Sequence, residues 1–328
     1  MNDKSISITE IARLAGVHPS TVSRALNDSP LVKEETKAWI RELADKHGYI
    51  PDALAKSLIH GKTYTIGVIV PEISSTFYSH IVDAIDSAMT SYGYHLLLCN
   101  SRFDQQTEYN AVQTLLGRRV DALIVCTPVS PDALRPVADK IPVIFCDATE
   151  EFEAFDCVSV DEKAGMSAAV KHLIQRGHRK IGCIADNVTG RRSTLFRDIL
   201  LENGLAVNED YFIQNDLMGV VSGYQAIHSL AAQNALPTAI FTTRDHIAVG
   251  AMRAAIELGI QIPDQLAIVG YDDLRISSFL YKNLTTIRQP ADKIGQTASS
   301  CLLYRLGHAK ALPPVRCLST ELIVRETT

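Results

Sequence analysis

The spacing of apolar residues changes abruptly near residue 60 of this 328-residue chain, and that change constrains the fold more than any other feature. Before it, apolar residues recur at helical spacing between short breaks. From Thr63 onward, strand-like apolar runs alternate with helical stretches, a pattern typical of a parallel sheet covered by helices on both faces. Because roughly 265 residues are many for one such sheet, we expect two doubly wound lobes. The predicted fold class is α/β, with a small all-α head on a two-lobed body.

The alternation in the body can be followed run by run. Strands are predicted at 65–70, 95–99, 122–126, 143–146, 180–184, 239–241 and 266–269. Helices are predicted at 77–91, 107–116, 164–176, 194–203, 223–233 and 247–258.

The first sixty residues predict a helix-turn-helix. Thr9 is placed to cap a helix that ends at Gly16, and a second helix follows Pro19, a residue suited to the first helical position. A third helix is expected over 34–47. Two short helices about a glycine turn can set the second helix into a DNA major groove. A plain helical hairpin packed on the body is the alternative.

The second helix carries side chains suited to reading DNA. Ser20, Thr21 and Ser23 can reach phosphates or base edges, and the Arg24 guanidinium can bind guanine O6 and N7. The net charge of −5 excludes a protein that is basic overall. It is compatible with a small DNA-binding module, because residues 1–60 carry eight Lys/Arg and eight Asp/Glu.

Cysteine usage and the N-terminal residues predict a reduced, cytoplasmic protein. The seven cysteines are scattered without a Cys-x-x-Cys pair, and several lie inside apolar runs. The N-terminus lacks the basic segment and apolar stretch of a secretory signal. No apolar run reaches the roughly 18–20 residues that span a bilayer, so no membrane partner is expected.

Signatures of enzymes and of metal sites are missing from the sequence. No G-x-G-x-x-G follows a strand, and Gly61-Lys62-Thr63 lacks the earlier glycine of a phosphate-binding loop. No H-E-x-x-H or G-x-S-x-G occurs, and the ten histidines are dispersed without metal-ligand spacing. We therefore expect a binding protein rather than an enzyme, with no catalytic residue, metal or cofactor.

Several segments of the sequence match the motifs of a known protein family. They read ITEIARLAGV at 8–17, STVSRALN at 20–27 and GYIP at 48–51, then TIGVIVP at 65–71, GHRKI at 177–181, DHIAVGA at 245–251, IPD at 262–264 and VGYDD at 269–273. Together they resemble the lactose/galactose/purine-repressor (LacI/GalR) family of bacterial transcriptional regulators, over essentially the whole chain. The resemblance implies a periplasmic-binding-protein-like body and these boundaries: helix-turn-helix domain 1–47, hinge helix and linker 48–62, body 63–328, with lobe 1 at about 63–162 and 292–319 and lobe 2 at about 163–290 and 320–328.

The resemblance also implies roles in DNA binding. Pro19, Ser20 and Arg24 would face base edges, and Thr21 and Ser23 would contact phosphates. Leu58, on the linker helix, would enter the minor groove and help to kink the duplex. His18 departs from the usual Ser or Thr cap, so a weaker cap is expected on the second helix.

For the body, the resemblance implies an effector pocket between the lobes. Arg192 matches an arginine that contacts ligand hydroxyls, and Asp245 and Asp272 match acids that reach sugars or purines in other members. Phe77 would wall the pocket, with Asp147 and Asp161 on the same rim, although an aspartate at a strand end is as often a helix cap.

Arg244 leaves the charge of the effector open. An inward Arg244 beside Arg192 would favour an anionic effector, such as a sugar acid or sugar phosphate, whereas an outward one would be a solvated charge. Leu217 stands where several relatives have a stacking aromatic, which weakens the case for a purine or a flat sugar face. Glu162 stands where asparagine is common.

These observations predict an effector-controlled repressor that binds a pseudo-palindromic operator as a homodimer. The predicted effector is of carbohydrate type: a sugar, sugar acid or sugar phosphate. The alternative is a small-molecule receptor with the same body and no regulatory role on DNA. Because no leucine heptads occur near Thr328, a dimer is expected rather than a tethered tetramer.

Overall fold

This computed structural model describes residues 6–49, 61–147, 155–307 and 317–328. They form two compact units, Met1–Tyr64 and Thr65–Thr328, which are called the head and the body below. Leu58, expected to contact the minor groove, lies outside the described residues.

The described part of the head contains three helices: α1 (Ile8–Ala15), α2 (Pro19–Leu26) and α3 (Glu34–Lys46). Each contributes fully buried side chains to one small core, among them Ile11, Val22 and Ile40. The helix-turn-helix predicted from the sequence is therefore confirmed.

The ends of α1 are set by two local interactions. Ser7, not Thr9, caps the helix, because its hydroxyl accepts a hydrogen bond of 3.3 Å from the Glu10 amide. The predicted cap at Thr9 is wrong by two residues, and Thr9 lies inside the first turn. Gly16 ends the helix in the left-handed region at φ 68°, as its position in the sequence predicts.

The first sheet of the body defines lobe 1. It contains β1 (Thr65–Val70), β2 (His95–Asn100), β3 (Ala122–Cys126), β4 (Val143–Cys146), β5 (Asp156–Asp161) and β11 (Cys317–Ser319). The strands are parallel throughout, in the order β11-β5-β4-β3-β1-β2. One face packs on α4 (Thr76–Thr90) and α11 (Ala291–Arg305), and the other packs on α5 (Gln105–Gly117) and α6 (Pro131–Ala138).

Lobe 2 repeats this plan. Its strands are β6 (Ile181–Asp186), β7 (Phe212–Asn215), β8 (Ala239–Thr242), β9 (Ala267–Asp272), β10 (Thr285–Arg288) and β12 (Glu321–Ile323). Their order is β12-β10-β9-β8-β6-β7, and only the β10–β12 pair is antiparallel. α7 (Glu162–Gln175) and α8 (Gly190–Glu202) cover one face, and α9 (Gly219–Ala232) and α10 (Asp245–Glu257) cover the other. The α/β class with two doubly wound lobes is thus confirmed.

The chain passes between the two sheets three times, from β5 to α7, from β10 to α11 and from β11 to β12. In each sheet the order reverses beside the first strand, since β1 lies between β2 and β3, and β6 lies between β7 and β8. Ligands of doubly wound sheets bind at the carboxyl ends of the strands at such a reversal. Within the described parts of the chain, no helix is long and apolar enough to cross a membrane.

Candidate functional site

Helix α2 is built so that one side packs inward and the other faces outward. Val22 and Ala25 are fully buried in the core of the head. The remaining side chains of the helix that the sequence predicts to contact DNA are half-buried or exposed: Pro19, Ser20, Thr21, Ser23 and Arg24. The outward side of α2 therefore carries four polar side chains and Pro19.

The start of α2 depends on His18. Its Nδ1 atom accepts a hydrogen bond of 3.3 Å from the Ser20 amide and lies 2.9 Å from the Ser20 hydroxyl. The imidazole therefore replaces the usual hydroxyl cap, at a long hydrogen-bond distance. It also fixes the position of the Ser20 side chain, one of the groups expected to face DNA.

The body contains a cavity of about 420 Å³ lined by residues of both sheets. Its lining includes six of the seven side chains expected to contact an effector: Phe77, Asp147, Asp161, Arg192, Arg244 and Asp272. Most of them follow the carboxyl ends of strands or begin helices, where the reversal in strand order predicts a ligand site.

Lobe 1 contributes a hydrogen-bonded chain to the cavity wall. The Tyr78 hydroxyl lies 2.9 Å from Thr127 Oγ1, which donates to Asp147 Oδ2 at 2.8 Å. Thr127 follows β3 and Asp147 follows β4, and both are in the left-handed region, at φ 47° and 52°. This backbone is unfavourable for a β-branched residue such as threonine, and such strain concentrates at functional sites.

The pKa of the Asp147 carboxyl is raised to about 6, and burial is the largest cause of this shift. The Arg192 charge across the cavity acts in the opposite direction and lowers the pKa. Among the described residues, hydroxyl groups rather than a cation hold the Asp147 carboxylate, and both of these hydroxyls contact Oδ2.

Lobe 2 contributes Arg192, on the first turns of α8. Its guanidinium lies 4.1 Å from the centre of the Tyr271 ring, donates to Glu162 Oε1 at 2.7 Å and lies 3.8 Å from Asp272 Oδ1. It also donates to the Thr243 carbonyl at 3.1 Å. Stacking, two hydrogen bonds and one ion pair fix the guanidinium plane at the cavity wall.

Arg244 points into the cavity region but is paired with acids. It is the residue before α10, and its Nη2 atom lies 2.6 Å from Glu72 Oε2 on the loop after β1. Its Nη1 atom lies 3.5 Å from Asp186 Oδ2, at the end of β6. The Glu72–Arg244 pair therefore joins lobe 1 to lobe 2.

Asp245 is the one expected effector residue that the structure places outside the cavity lining. Its fully buried carboxylate accepts hydrogen bonds from the Leu274 amide at 2.8 Å, the Ser277 hydroxyl at 2.6 Å and the Thr286 hydroxyl at 2.5 Å. Burial, followed by the charge of Asp272, raises its pKa to about 7. These bonds tie the start of α10 to β10 and to the segment between β9 and β10, so the carboxylate has a structural role in lobe 2, and the expectation of direct contact with an effector has no support in the cavity lining.

Two acids lie where the chain passes from β5 in lobe 1 to α7 in lobe 2, and they have different partners. Asp161 Oδ1 accepts from the Ala164 amide at 2.9 Å and so caps α7, as the capping alternative predicts, while the residue also lines the cavity. Glu162 pairs with both Arg191 and Arg192. Glu162 lines the cavity, and the sequence marks it only as a departure from the family pattern.

Gln289 is a residue of the cavity lining that the sequence does not predict. It lies between β10 and α11, where the chain passes from lobe 2 back to lobe 1. Its side chain lines the cavity and donates from Nε2 to Asp272 Oδ1 at 2.7 Å. Its buried Oε1 has no hydrogen-bond partner among the described residues. No local pattern could have identified it, because the crossover has no motif of its own. Among the described residues, no group of three or more His, Cys, Asp or Glu side chains could hold a metal ion.

Two family descriptions match the chain. Residues 7–52 match the description "Bacterial regulatory proteins, lacI family", and residues 170–328 match "Periplasmic binding protein-like domain". A helix-turn-helix head that precedes this kind of body defines the class as a bacterial regulatory protein with a ligand-binding-type body.

Three relatives make the assignment specific. The HTH-type transcriptional repressor PurR of Pectobacterium carotovorum is 35% identical over 308 residues, covering 92% of this chain and 90% of the relative. The lac repressor dimer bound to operator and the anti-inducer ONPF has a TM-score of 0.86 at 27% identity, with 99% of each chain covered. A LacI-family regulator of Lactobacillus casei with bound glucose has a TM-score of 0.73 at 25% identity, covering 80% of this chain and 99% of the other. The chain belongs to the LacI family of bacterial regulatory proteins, so the predicted family and its regulatory role are confirmed.

Proposed function

We propose that this protein represses transcription by binding a pseudo-palindromic operator as a homodimer, and that a carbohydrate-type effector bound in the body controls this binding. The observation that carries the proposal is the cavity of about 420 Å³ between the carboxyl ends of two sheets, lined by opposed acids and guanidinium groups. A ligand that contacts both walls shifts the balance between arrangements of the two lobes.

The DNA-binding part of the proposal rests on α2. Ser20 and Arg24 are exposed and, with Pro19, would face base edges, while Thr21 and Ser23 would contact phosphates. Because Pro19 has no side-chain donor, it would read bases by shape and by apolar contact. Leu58 of the linker would act as the apolar wedge in the minor groove.

The homodimer is supported by an uncovered apolar edge on lobe 1. β2 is the last strand of its sheet, and Leu97 and Leu98 on it are 39% and 41% exposed. Ile73, 48% exposed, lines a surface groove together with Leu98. An apolar edge strand invites association unless it is covered. A second copy of this chain is the proposed cover, in line with the dimeric lac repressor described above.

The carbohydrate assignment rests on the chemistry of the cavity. Carboxylates of Asp147 and Asp272 and the guanidinium of Arg192 can pair with neighbouring hydroxyl groups of a sugar, and Phe77 supplies an apolar wall. A relative of similar fold is described with bound glucose.

The proposal is tested in two assays on the full-length protein. Operator sequences are selected from a random duplex library, and their affinity is compared with scrambled duplexes by fluorescence anisotropy. Thermal unfolding is then followed with neutral sugars, sugar acids, sugar phosphates, nucleosides and purine bases, since purine-responsive members belong to the same family. A ligand at about 100 times its dissociation constant stabilises the fold by about 2.7 kcal/mol.

The proposal predicts preference for a two-fold symmetric site and a stabilising sugar that changes operator affinity. Equal affinity for selected and scrambled DNA would contradict the DNA-binding part. A sugar that stabilises the protein without any preference for selected DNA would indicate the receptor function instead.

A further inference from the structure

We infer that Glu72 sets the charge class of the effector: by occupying Arg244, it makes the cavity select uncharged polyhydroxylated ligands and reject anionic ones. This inference rests on the proposed effector-binding function. Glu72 is not part of the cavity lining, so it acts as a positioning residue through Arg244.

Every cation of the cavity lining has an acidic partner. Arg191 and Arg192 both pair with Glu162, and Arg244 pairs with Glu72. The fourth cation is Lys163, whose ammonium lies 2.7 Å from the carboxylate of Glu202 on α8. No guanidinium of the lining is therefore left with an unused charge for a ligand anion.

Two acids of the lining, Asp147 and Asp272, are less well balanced by cations than Glu162 is. Asp147 is held only by the hydroxyls of Thr127 and Tyr78, and no Lys or Arg lies within ion-pair distance of it among the described residues. Asp272 lies 3.8 Å from Arg192, whose guanidinium already donates a closer hydrogen bond to Glu162. An anion entering the cavity would meet unbalanced carboxylates and no free cation, whereas a hydroxyl can donate to either acid.

Arg244 is the group that decides between the two classes. It is buried, lines the cavity and has acids on two sides, Glu72 at 2.6 Å and Asp186 at 3.5 Å. Only one oxygen of Asp186 is used elsewhere: Oδ1 accepts from the Thr189 amide and hydroxyl, whereas the buried Oδ2 faces Arg244 and has no hydrogen-bond partner among the described residues. Glu72, with a side chain 29% exposed, is the partner that substitution can remove without opening the core.

The test compares anion selectivity in wild type and in Glu72 variants of the full-length protein. E72A frees the Nη2 atom of Arg244, and E72Q removes the charge but keeps the shape. E209Q is the matched control, since it removes a glutamate from a surface pair with Arg197 away from the cavity. The probes are glucose, glucuronate, glucose 6-phosphate and inorganic phosphate, each measured by thermal shift and calorimetry at constant ionic strength.

We expect wild type and E209Q to bind phosphate, glucuronate and glucose 6-phosphate no more tightly than glucose. We expect E72A to bind the anions at least about tenfold more tightly than wild type does, with E72Q intermediate. The double variant E72A/R244A should lose this gain, which a merely structural effect of E72A would not.

Tighter binding of an anion than of glucose by wild type would overturn the inference, as would unchanged anion affinity in E72A. Inorganic phosphate gives a result even if none of the sugars is the effector. Failure of the proposed function would show separately, as absence of operator preference in the anisotropy assay.

Discussion

Thr127 and Asp147 immediately follow adjacent parallel strands, are both in the left-handed region, and are joined by a hydrogen bond of 2.8 Å from Oγ1 to Oδ2. Their strands pair in register immediately before them, through Cys126 and Cys146. The sheet therefore places a threonine and an aspartate side by side at the wall of the cavity. The strain at both residues is offset by this pairing and by the contact with Tyr78.

Asp147 makes the free energy of unfolding depend on pH. Burial raises the pKa of its carboxyl from 3.8 to about 6, so the folded state binds more protons than the unfolded chain between these values. Its stabilising contribution is present below about pH 4 and is lost as the pH rises through about 6, a change of up to about 3 kcal/mol. Urea denaturation across this range should show a flatter profile for D147N than for wild type.

The exposed Asp264 provides the control for this experiment, since D264N removes a carboxyl without burial. Asp245, with its pKa raised to about 7, contributes in the same direction and accounts for pH dependence that persists in D147N. An identical profile for D147N and wild type would contradict the assignment of Asp147.

Asp245 is predicted to stabilise lobe 2 rather than to bind the effector. D245A would leave the Leu274 amide and the hydroxyls of Ser277 and Thr286 without their acceptor in a buried region. We expect a loss of about 2–4 kcal/mol in the free energy of unfolding, measured by urea denaturation. Unchanged stability with loss of effector binding would instead restore a direct ligand role.

Alanine substitutions at the neighbouring residues Arg191 and Arg192 are predicted to change ligand affinity to different extents. Arg192 has a side chain only 13% exposed and lies over the Tyr271 ring, whereas the side chain of Arg191 is 55% exposed. We expect R192A to weaken binding of the ligand found in the thermal-shift panel by about tenfold or more, and R191A to change it by less than about threefold. Equal effects in calorimetry would show that the position of the guanidinium does not matter.

Arg24 is predicted to supply specificity for DNA. Replacing it with alanine should cost about 1–3 kcal/mol of operator affinity and relax base preference at one position of each half-site. R135A, which removes an exposed positive charge from α6, is the control and should bind as wild type does. Loss of affinity without loss of preference would place Arg24 on a phosphate instead.

The sequence predicts most of the long elements of this fold because their periodicity is strong, but it misses the helices α6 and α11, the latter with 15 residues. β1, β3 and β4 have the predicted bounds, and their burial is nearly continuous. The short or polar strands β5, β7, β10, β11 and β12 escape prediction, since three to six residues with few apolar side chains carry little periodic signal.

The residues of the candidate site likewise fall into those that the sequence predicts and those that it does not. Arg192 and Asp272 can be placed in the cavity from family motifs, and Asp147 from its position after a buried strand. The pairing of Glu72 with Arg244, residues 172 positions apart, has no local signature. The roles of Asp245 and Gln289 likewise depend on which strands become neighbours, a property of topology rather than of local sequence.

The most direct test of the account is operator affinity measured with and without the ligand that stabilises the body. The account predicts that a saturating ligand changes the dissociation constant for the selected operator by at least about tenfold in wild type. R192A should keep the ligand-free affinity and lose this change. A ligand that binds the body of the wild-type protein yet leaves operator affinity unaltered would contradict the claim that the cavity controls DNA binding.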